Sequence, residues 1–186
     1  MPTISALSYP DVGQRIAAYA CAHPKVGCMA LITYLVEDNK IVLDNLIEAL
    51  QEIAAVEITG HSATQAEATH WLKAHNGDWH LAIVDLFLKE GSGLGVLAGC
   101  RNRKPYQKVV VLTNYATQEI RKRAADLGAD ALFDKSSELD GLFAYCMEQT
   151  AQHADRAEGQ AQDKRALLQH ETASAETRRT TPGRQR

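Results

Sequence analysis

The stretch Leu81-Ala82-Ile83-Val84-Asp85 places one carboxylate directly after four consecutive apolar residues. A continuous apolar run of this length is typical of a parallel β-strand that is covered on both faces. The run Val109-Val110-Val111-Leu112 repeats the pattern and is followed by the hydroxyl of Thr113. These two segments predict central strands of a buried parallel sheet.

Further strands and helices alternate on both sides of these segments. Leu31 to Val36 is another apolar run, whereas Val56-Glu57-Ile58 alternates, as expected of an edge strand with one wetter face. Helical spacing relates two further sets of apolar residues, which are Leu43, Leu46, Ile47 and Leu50, and Leu139, Leu142, Phe143, Cys146 and Met147. The alternation predicts an α/β fold, a flavodoxin-like doubly wound five-stranded parallel sheet of (βα)5 topology with strand order 2-1-3-4-5.

Several helix ends can also be predicted. Capping residues are expected before three of the helices, at Asp38 or Asn39 for the first, at Thr117 for the fourth, and at Ser136 or Ser137 for the fifth. Gly128 stands where the glycine that ends the fourth helix belongs, just before the last strand.

Residues 30–150 are therefore predicted as one domain between two extensions. Residues 1–29 form an N-terminal extension of mixed character, and Met29, directly before the first strand, is an alternative start of translation. Residues 151–186 contain few large aliphatic side chains and end in an arginine-rich segment. Such a composition predicts a C-terminal extension that is partly helical and then disordered, with no DNA-binding output domain.

The composition argues against several classes of protein. A net charge of −3 argues against a general affinity for nucleic acid, which favours a basic surface. Four widely spaced cysteines without a CxxC pair predict free thiols in a reducing compartment rather than a disulfide framework or a zinc site. The sequence shows neither a secretion signal nor a membrane-spanning run, so a cytoplasmic protein is expected.

Polar residues follow four of the five predicted strands. Glu37 and Asp38 come after the first strand, Asp85 after the third, Thr113 after the fourth and Lys135 after the fifth. The carboxyl ends of parallel strands meet at one edge of a sheet, so these side chains are expected to converge. Carboxylates about 4 Å apart repel by roughly 4 kcal/mol per pair at an effective dielectric of 20. A hard cation, with Mg²⁺ as the first choice, would resolve this repulsion and leave room for phosphate oxygens.

The remaining two residues complete the chemistry. The Lys135 ammonium and the Thr113 hydroxyl would hold the oxygens of a phosphoryl group as it is delivered to a carboxylate nucleophile. The residue set thus predicts a site that accepts a phosphoryl group.

This arrangement resembles the response-regulator receiver family of two-component systems. The matching segments are Leu35-Val36-Glu37-Asp38-Asn39, Ile83-Val84-Asp85, Val111-Leu112-Thr113 and Phe133-Asp134-Lys135. The resemblance implies that Asp85 accepts a phosphoryl group from a histidine kinase or a histidine phosphotransfer protein. It also implies that Asp85 and Asp38 bind Mg²⁺, that Glu37 acts mainly through water, and that the backbone carbonyl of Phe87 is a further ligand.

The resemblance further implies a conformational switch. The phosphoryl group draws the Thr113 hydroxyl inward, Phe133 follows, and the surface of the fourth helix, fifth strand and fifth helix changes. The chain is expected to act as a switch rather than an enzyme, and to signal to a downstream protein partner rather than to nucleic acid or a membrane. Dimerisation through the fourth and fifth helices is left open.

The chain departs from the family pattern in the loops around this site. Ser136 follows Lys135 where the family usually has a proline in a cis peptide, so the geometry of this loop is left open. The loop from Leu88 to Gly93 lacks the customary proline but keeps its glycines. Phe87 and Tyr115 are bulky where the resemblance places neighbours of the phosphoryl group, which predicts a long-lived phosphorylated form.

Three alternative functions use the same fold. A phosphorylation-independent scaffold would lack the phosphoryl chemistry altogether. An aspartyl-nucleophile phosphohydrolase would carry a general acid two residues after the nucleophile, where this chain has Phe87. A flavin-binding module would need a hydroxyl- and glycine-rich loop after the first strand, where Glu37 and Asp38 would repel a phosphate.

Overall fold

The structure is a computed structural model that describes residues 30–53 and 55–179. Strands and helices alternate in this part of the chain, as β1 (Leu31–Val36), α1 (Lys40–Ile53), β2 (Val56–Ser62), α2 (Gln65–Ala74), β3 (Leu81–Asp85), α3 (Gly93–Gly99), β4 (Lys108–Thr113), α4 (Gln118–Asp126), β5 (Ala131–Asp134) and α5 (Leu139–Arg179). The predictions for residues 1–29, including the start at Met29, and for the chain end after Arg179 lie outside the described residues.

The five strands form one parallel sheet in the order β2-β1-β3-β4-β5. This order confirms the predicted doubly wound, flavodoxin-like topology. Strand β3 lies at the centre of the sheet and is buried from Leu81 to Val84. Strand β2 lies at the edge, where Val56 is buried and Glu57 is exposed, in agreement with its alternating sequence.

The helices cover both faces of the sheet with two separate apolar clusters. On one face, Val84 and Val111 pack against side chains of α2, α3 and α4. On the other face, Ile83 and Leu112 pack against α1 and against Leu142 of α5. Successive strand residues point to opposite faces, so an unbroken apolar run supplies both clusters. Each fully buried side chain of this kind stabilises the fold by about 1.5–3 kcal/mol.

The ends of two helices follow the sequence predictions. Asn39 rather than Asp38 caps α1, because the Asn39 Oδ1 atom accepts a hydrogen bond from the Ile41 amide at 3.0 Å. Thr117 caps α4 through its side-chain oxygen, and Gly128 follows α4 with a φ angle of +93°, a conformation that favours glycine. The Asp38 carboxylate therefore remains available to the site.

The predicted cap of the fifth helix at Ser136 or Ser137 is wrong. The amide and the hydroxyl of Ser136 both donate hydrogen bonds to the Asp134 carboxylate. These hydrogen bonds form a turn directly after β5. An aspartate side chain readily accepts a hydrogen bond from the backbone amide two residues later in the chain. This local hydrogen bond prevents the helix from starting at Ser136 or Ser137. Helix α5 begins only after Glu138, whose carbonyl accepts its first helical hydrogen bond.

Helix α5 is 41 residues long and continues through the predicted domain boundary at residue 150. Within it, the ring of His153 packs on the ring of His80, which lies just before β3, with centroids 3.6 Å apart. This contact fastens the helix to the end of the sheet opposite the predicted site. The division of the chain at residue 150 stays a prediction. None of the described helices is both long and apolar enough to cross a membrane.

Candidate functional site

Three acidic side chains meet at the carboxyl ends of β1 and β3. Val36 pairs with Val84 in the sheet, so Glu37 and Asp38, which follow β1, lie next to Asp85 at the end of β3. One carboxylate oxygen from each acid lies within 4.8 Å of the other two. The structure therefore brings together the three acids that the sequence predicts to converge.

Lys135 contacts two of these acids. Its Nζ atom donates to Glu37 Oε2 at 2.6 Å and to Asp85 Oδ2 at 2.8 Å, and only 11 % of its side chain is exposed. Burial alone would lower the pKa of Lys135, but the hydrogen bonds to Asp85 and Glu37 outweigh burial and raise this pKa above its usual value. The ammonium is consequently a fixed positive charge within the site.

The loop that carries Lys135 is anchored to the neighbouring strand. The Lys135 amide donates to the Thr113 carbonyl at 2.9 Å. The described part of the chain contains no cis peptide bond, so the bond between Lys135 and Ser136 is trans. The lysine reaches both acids without the proline that is customary after it.

Backbone amides hold each carboxylate in a defined orientation. The Asn39 amide donates to Glu37 Oε1 at 3.0 Å, and the Phe87 amide donates to Asp85 Oδ1 at 3.3 Å. The Lys89 amide, from the loop after β3, donates to Asp38 Oδ2 at 3.1 Å. Each of these contacts occupies one oxygen of the acid and fixes the direction of the other.

Thr113 and Phe133, the two residues of the predicted switch, lie on adjacent strands. Thr113 is fully buried at the end of β4, and its hydroxyl oxygen accepts the Tyr115 amide at 3.2 Å. Phe133 is half-buried on β5 and faces α5, where its ring lies 5.9 Å from the ring of Tyr145. A Cβ atom added to Gly141 would lie 3.3 Å from the Phe133 ring, so this ring rests directly on the α5 backbone.

Phe87 and Tyr115 form an aromatic pair beside the site. Their ring centroids are 5.2 Å apart in an edge-to-face arrangement. Both rings are exposed, at 55 % for Phe87 and 62 % for Tyr115. The family resemblance implies that both residues lie near Asp85, but it does not predict that their rings contact each other. The role of the Phe87 carbonyl as a metal ligand stays a prediction.

The residues present fit a small divalent cation. Glu37, Asp38 and Asp85 supply only carboxylate oxygens, which are the ligands that Mg²⁺ prefers. Lys135 balances one of the three negative charges from a buried position, so the group keeps a net negative charge. Asp38 is the acid that Lys135 does not contact, which leaves its carboxylate as the strongest candidate for a metal ligand.

The structure also identifies residues that the sequence did not single out. Lys89 contacts Asp38 through both its amide and its ammonium group. On the other side of β5, Arg121 of α4 donates to Glu138 at 2.6 Å and to the Leu132 carbonyl at 2.8 Å. The only sequence signal for Lys89 was the missing proline in its loop, and Arg121 carried none.

Comparisons with known proteins agree with this geometry. The family model described as the response regulator receiver domain matches residues 33–146. The acid tolerance regulatory protein ActR of Rhizobium meliloti (strain 1021) is 27% identical over 137 residues, which are 72% of this chain and 71% of that protein. The photosynthetic apparatus regulatory protein RegA of Rhodobacter capsulatus is 28% identical over 114 residues, which are 58% of this chain and 56% of RegA. The chain thus spans little more than half of RegA.

A solved structure gives the same result for the fold. The signal receiver domain of NarL from Mycobacterium tuberculosis superposes with a TM-score of 0.55 at 20% sequence identity. The superposition covers 68% of this chain and 97% of the NarL domain. The likeness at this identity concerns the fold.

Proposed function

The chain belongs to the response regulator receiver domain family, and from this premise we propose that it is a phosphorylation switch that accepts a phosphoryl group on Asp85. The observation that carries the proposal is the placement of Lys135 between Glu37 and Asp85, beside Asp38. A lysine bound to two carboxylates in a shielded site is what a phosphoryl acceptor needs before the phosphate arrives.

Asp85 has the geometry of a nucleophile. The Phe87 amide holds its Oδ1 atom, and Lys135 holds its Oδ2 atom, so the carboxylate is oriented for attack. Attack on phosphohistidine forms the bond between oxygen and phosphorus as the bond between nitrogen and phosphorus breaks. The phosphoryl group is thereby transferred with no change of oxidation state, and the histidine leaves with the electron pair.

Lys135 and Thr113 stabilise the transferred group. The ammonium of Lys135 is already bound to Asp85 and follows the negative charge onto the phosphoryl oxygens. The Thr113 hydroxyl accepts the Tyr115 amide, so its own hydrogen is free to be donated to a phosphoryl oxygen. Mg²⁺, held by Asp38 and Asp85 with Glu37 acting through water and with the Phe87 carbonyl, would neutralise the developing charge.

The switch is proposed to run through Thr113 and Phe133. When Thr113 turns toward the phosphoryl group it vacates volume at the end of β4, and Phe133 on the adjacent strand follows into that volume, away from Gly141 of α5, against which its ring now rests. Arg121 links α4 to β5 and to Glu138 at the start of α5, so the movement reaches the whole surface of α4, β5 and α5.

The partners proposed for this switch are proteins. A histidine kinase or a histidine phosphotransfer protein supplies the phosphoryl group, and a downstream protein recognises the altered α4, β5 and α5 surface. The net charge of −3 supports protein contacts over nucleic acid. The absence of a DNA-binding output domain, a cytoplasmic location and dimerisation stay predictions.

Incubation with acetyl phosphate and Mg²⁺ tests the proposal. The wild-type protein should gain the mass of one phosphoryl group, with the lability to base that is typical of an acyl phosphate, and EDTA should prevent the gain. Asp85→Asn should gain nothing, whereas Asp78→Asn, a change outside the site, should behave as the wild type. Stable labelling of Asp85→Asn, or an unlabelled wild type, would overturn the proposal.

A further inference from the structure

Lys89 lies at the mouth of the site and contacts the acid that Lys135 leaves free. Its amide donates to Asp38 Oδ2 at 3.1 Å, and its Nζ atom lies 3.4 Å from the Asp38 carbonyl oxygen. The same Nζ atom is 4.0 Å from Asp38 Oδ2. The Lys89 side chain is 78 % exposed, whereas the Asp38 side chain is only 15 % exposed.

Two lysines pair with the three acids of the site. Lys135 is hydrogen-bonded to Glu37 and Asp85 and is buried with them. Among the described residues, Lys89 is the cation paired with Asp38. Because its ammonium lies beside the carboxylate while most of the side chain is in solvent, it can leave without unfolding the loop, which the amide contact keeps in place.

We propose that Lys89 is a built-in competitor of the metal ion, whose ammonium group must move away from Asp38 before Mg²⁺ binds there. This inference rests on the proposed function, since it concerns the same metal site. It goes further because it proposes that one residue of this chain, Lys89, sets the Mg²⁺ concentration at which the site binds the ion. A proline at this position could provide neither the amide hydrogen nor the charge.

The size of the effect follows from the distance and the exposure. Two unit charges 4 Å apart interact by about 1 kcal/mol in water, which corresponds to about fivefold in a dissociation constant. Removing the Lys89 charge should therefore tighten Mg²⁺ binding about fivefold at low ionic strength. At 1 M salt, where the screening length is about 3 Å, most of this difference should vanish.

Titration of the full chain with MgCl2, followed by NMR, measures the competition directly. The amides of Asn39 and Phe87 donate to Glu37 and Asp85, so their chemical shifts report ion binding without any phosphoryl transfer. Lys89→Gln removes the charge and keeps the backbone amide. Lys89→Arg keeps the charge and should bind Mg²⁺ as the wild type does.

Lys40→Gln is the matched control. Lys40 is also highly exposed, at 83 %, but it pairs with Asp44 at 2.9 Å. Its removal changes the net charge equally, so a much smaller change in Mg²⁺ affinity than in Lys89→Gln supports the proposal. Equal affinities in the wild type and Lys89→Gln, or equal tightening in both glutamine variants, would overturn this inference alone. A wild type that binds no Mg²⁺ would overturn it together with the proposed metal site.

Discussion

At the scale of single residues, Lys135 replaces part of the charge that a metal ion would bring. Glu37 is almost fully buried and depends on the Lys135 ammonium for compensation. A buried carboxylate that loses its partner is strongly destabilising, because its desolvation is no longer offset. The fold near Lys135 should therefore be more sensitive to mutation when Mg²⁺ is absent.

Lys135→Gln should lower the free energy of unfolding by about 3 kcal/mol in EDTA, because the buried acids lose their counter-charge. Saturating Mg²⁺ should restore most of the loss. Urea unfolding with and without Mg²⁺ measures both values. Lys108→Gln, which breaks the 3.2 Å ion pair with Asp130 elsewhere, should give a loss that Mg²⁺ does not change. If Mg²⁺ also failed to restore the unfolding free energy lost in Lys135→Gln, this account would be contradicted.

Phe87→Ala or Tyr115→Ala should shorten the lifetime of the phosphorylated protein by about fivefold, because each change removes one of the two rings that would screen the phosphoryl group on Asp85 from water. Loss of the label over time after removal of the phosphodonor gives the rate. Ile41→Ala removes an exposed apolar side chain outside this pair and should leave the rate unchanged. Rates in both aromatic variants that match the wild type would show that the pair does not screen the phosphate.

Sequence alone predicts the residues that follow strands. Asp85 and Thr113 each end a continuous apolar run, and the parallel arrangement of the runs dictates that their ends meet. Lys89 and the contact between Phe87 and Tyr115 depend instead on the path of loops. A loop path results from many weak contacts, and residue spacing does not encode it.

At the scale of elements, the junction of β3 and α3 constrains the site. Gly93, the first residue of α3, lies against the backbone of β3, where an added Cβ atom would be 2.1 Å from the Asp85 carbonyl oxygen. Backbone atoms cannot move aside as the end of a flexible side chain can. This glycine therefore sets how closely α3 approaches the carboxylate.

Gly93→Ala should destabilise the protein by about 2–3 kcal/mol, because the added methyl group overpacks the junction, and it should slow phosphorylation by displacing Asp85. Gly159→Ala is the natural control, because an added Cβ atom there meets nothing within 4 Å. In the α5 helix this change should raise stability by up to about 1 kcal/mol. Thermal unfolding and labelling rates of the two variants check both expectations. A stable and fully active Gly93→Ala would contradict the steric argument.

The helix boundaries show which local sequence patterns predict the start of a helix. The caps at Asn39 and Thr117 were predictable because a side chain bonds to the amides just ahead of it. The start of α5 was misplaced because Asp134 takes the amide and hydroxyl of Ser136 first. Two local preferences compete there, and the sequence does not reveal which one prevails.

At the scale of the whole molecule, a histidine pair joins the sheet to its longest helix. The His80 Nδ1 atom accepts the Ile32 amide at 3.1 Å, and its ring packs on His153, with Tyr106 at its edge. The two histidines are far apart in sequence, so no local pattern predicted their contact. Burial and the neighbouring His153 lower the pKa of His80 to about 4, and burial and Arg156 lower that of His153.

The lowered pKa of His80 predicts that acid weakens the contact between His80 and His153. His80 is neutral in the folded and unfolded states above its unfolded pKa of 6.5, and its contribution to stability is then complete. As the pH falls from about 6.5 to about 4 the unfolded chain binds the proton first, so stability is lost through this window. We expect His80→Asn, which keeps a hydrogen-bond acceptor near the Ile32 amide, to flatten the pH dependence by on the order of 2 kcal/mol.

Urea unfolding of the wild type and His80→Asn at pH values from 7 to 4 measures that difference. The carboxylates contribute equally to both proteins, so the difference between the two curves isolates the contribution of His80. Parallel curves would show that no proton linked to folding binds at His80.

Helix α5 begins beside Phe133, is held to the sheet at His153, and is described as far as Arg179, so it has a short segment before that contact and a long one after it. At 1.5 Å per residue, the segment from Gly141 to His153 is about 18 Å long and the segment from His153 to Arg179 about 39 Å. A tilt of about 5° about the His153 contact would move the Gly141 end by about 1.6 Å and the far end by about 3.4 Å, by the same helical geometry. A rigid tilt about this contact would therefore roughly double, at the far end of α5, any displacement made at the Phe133 end.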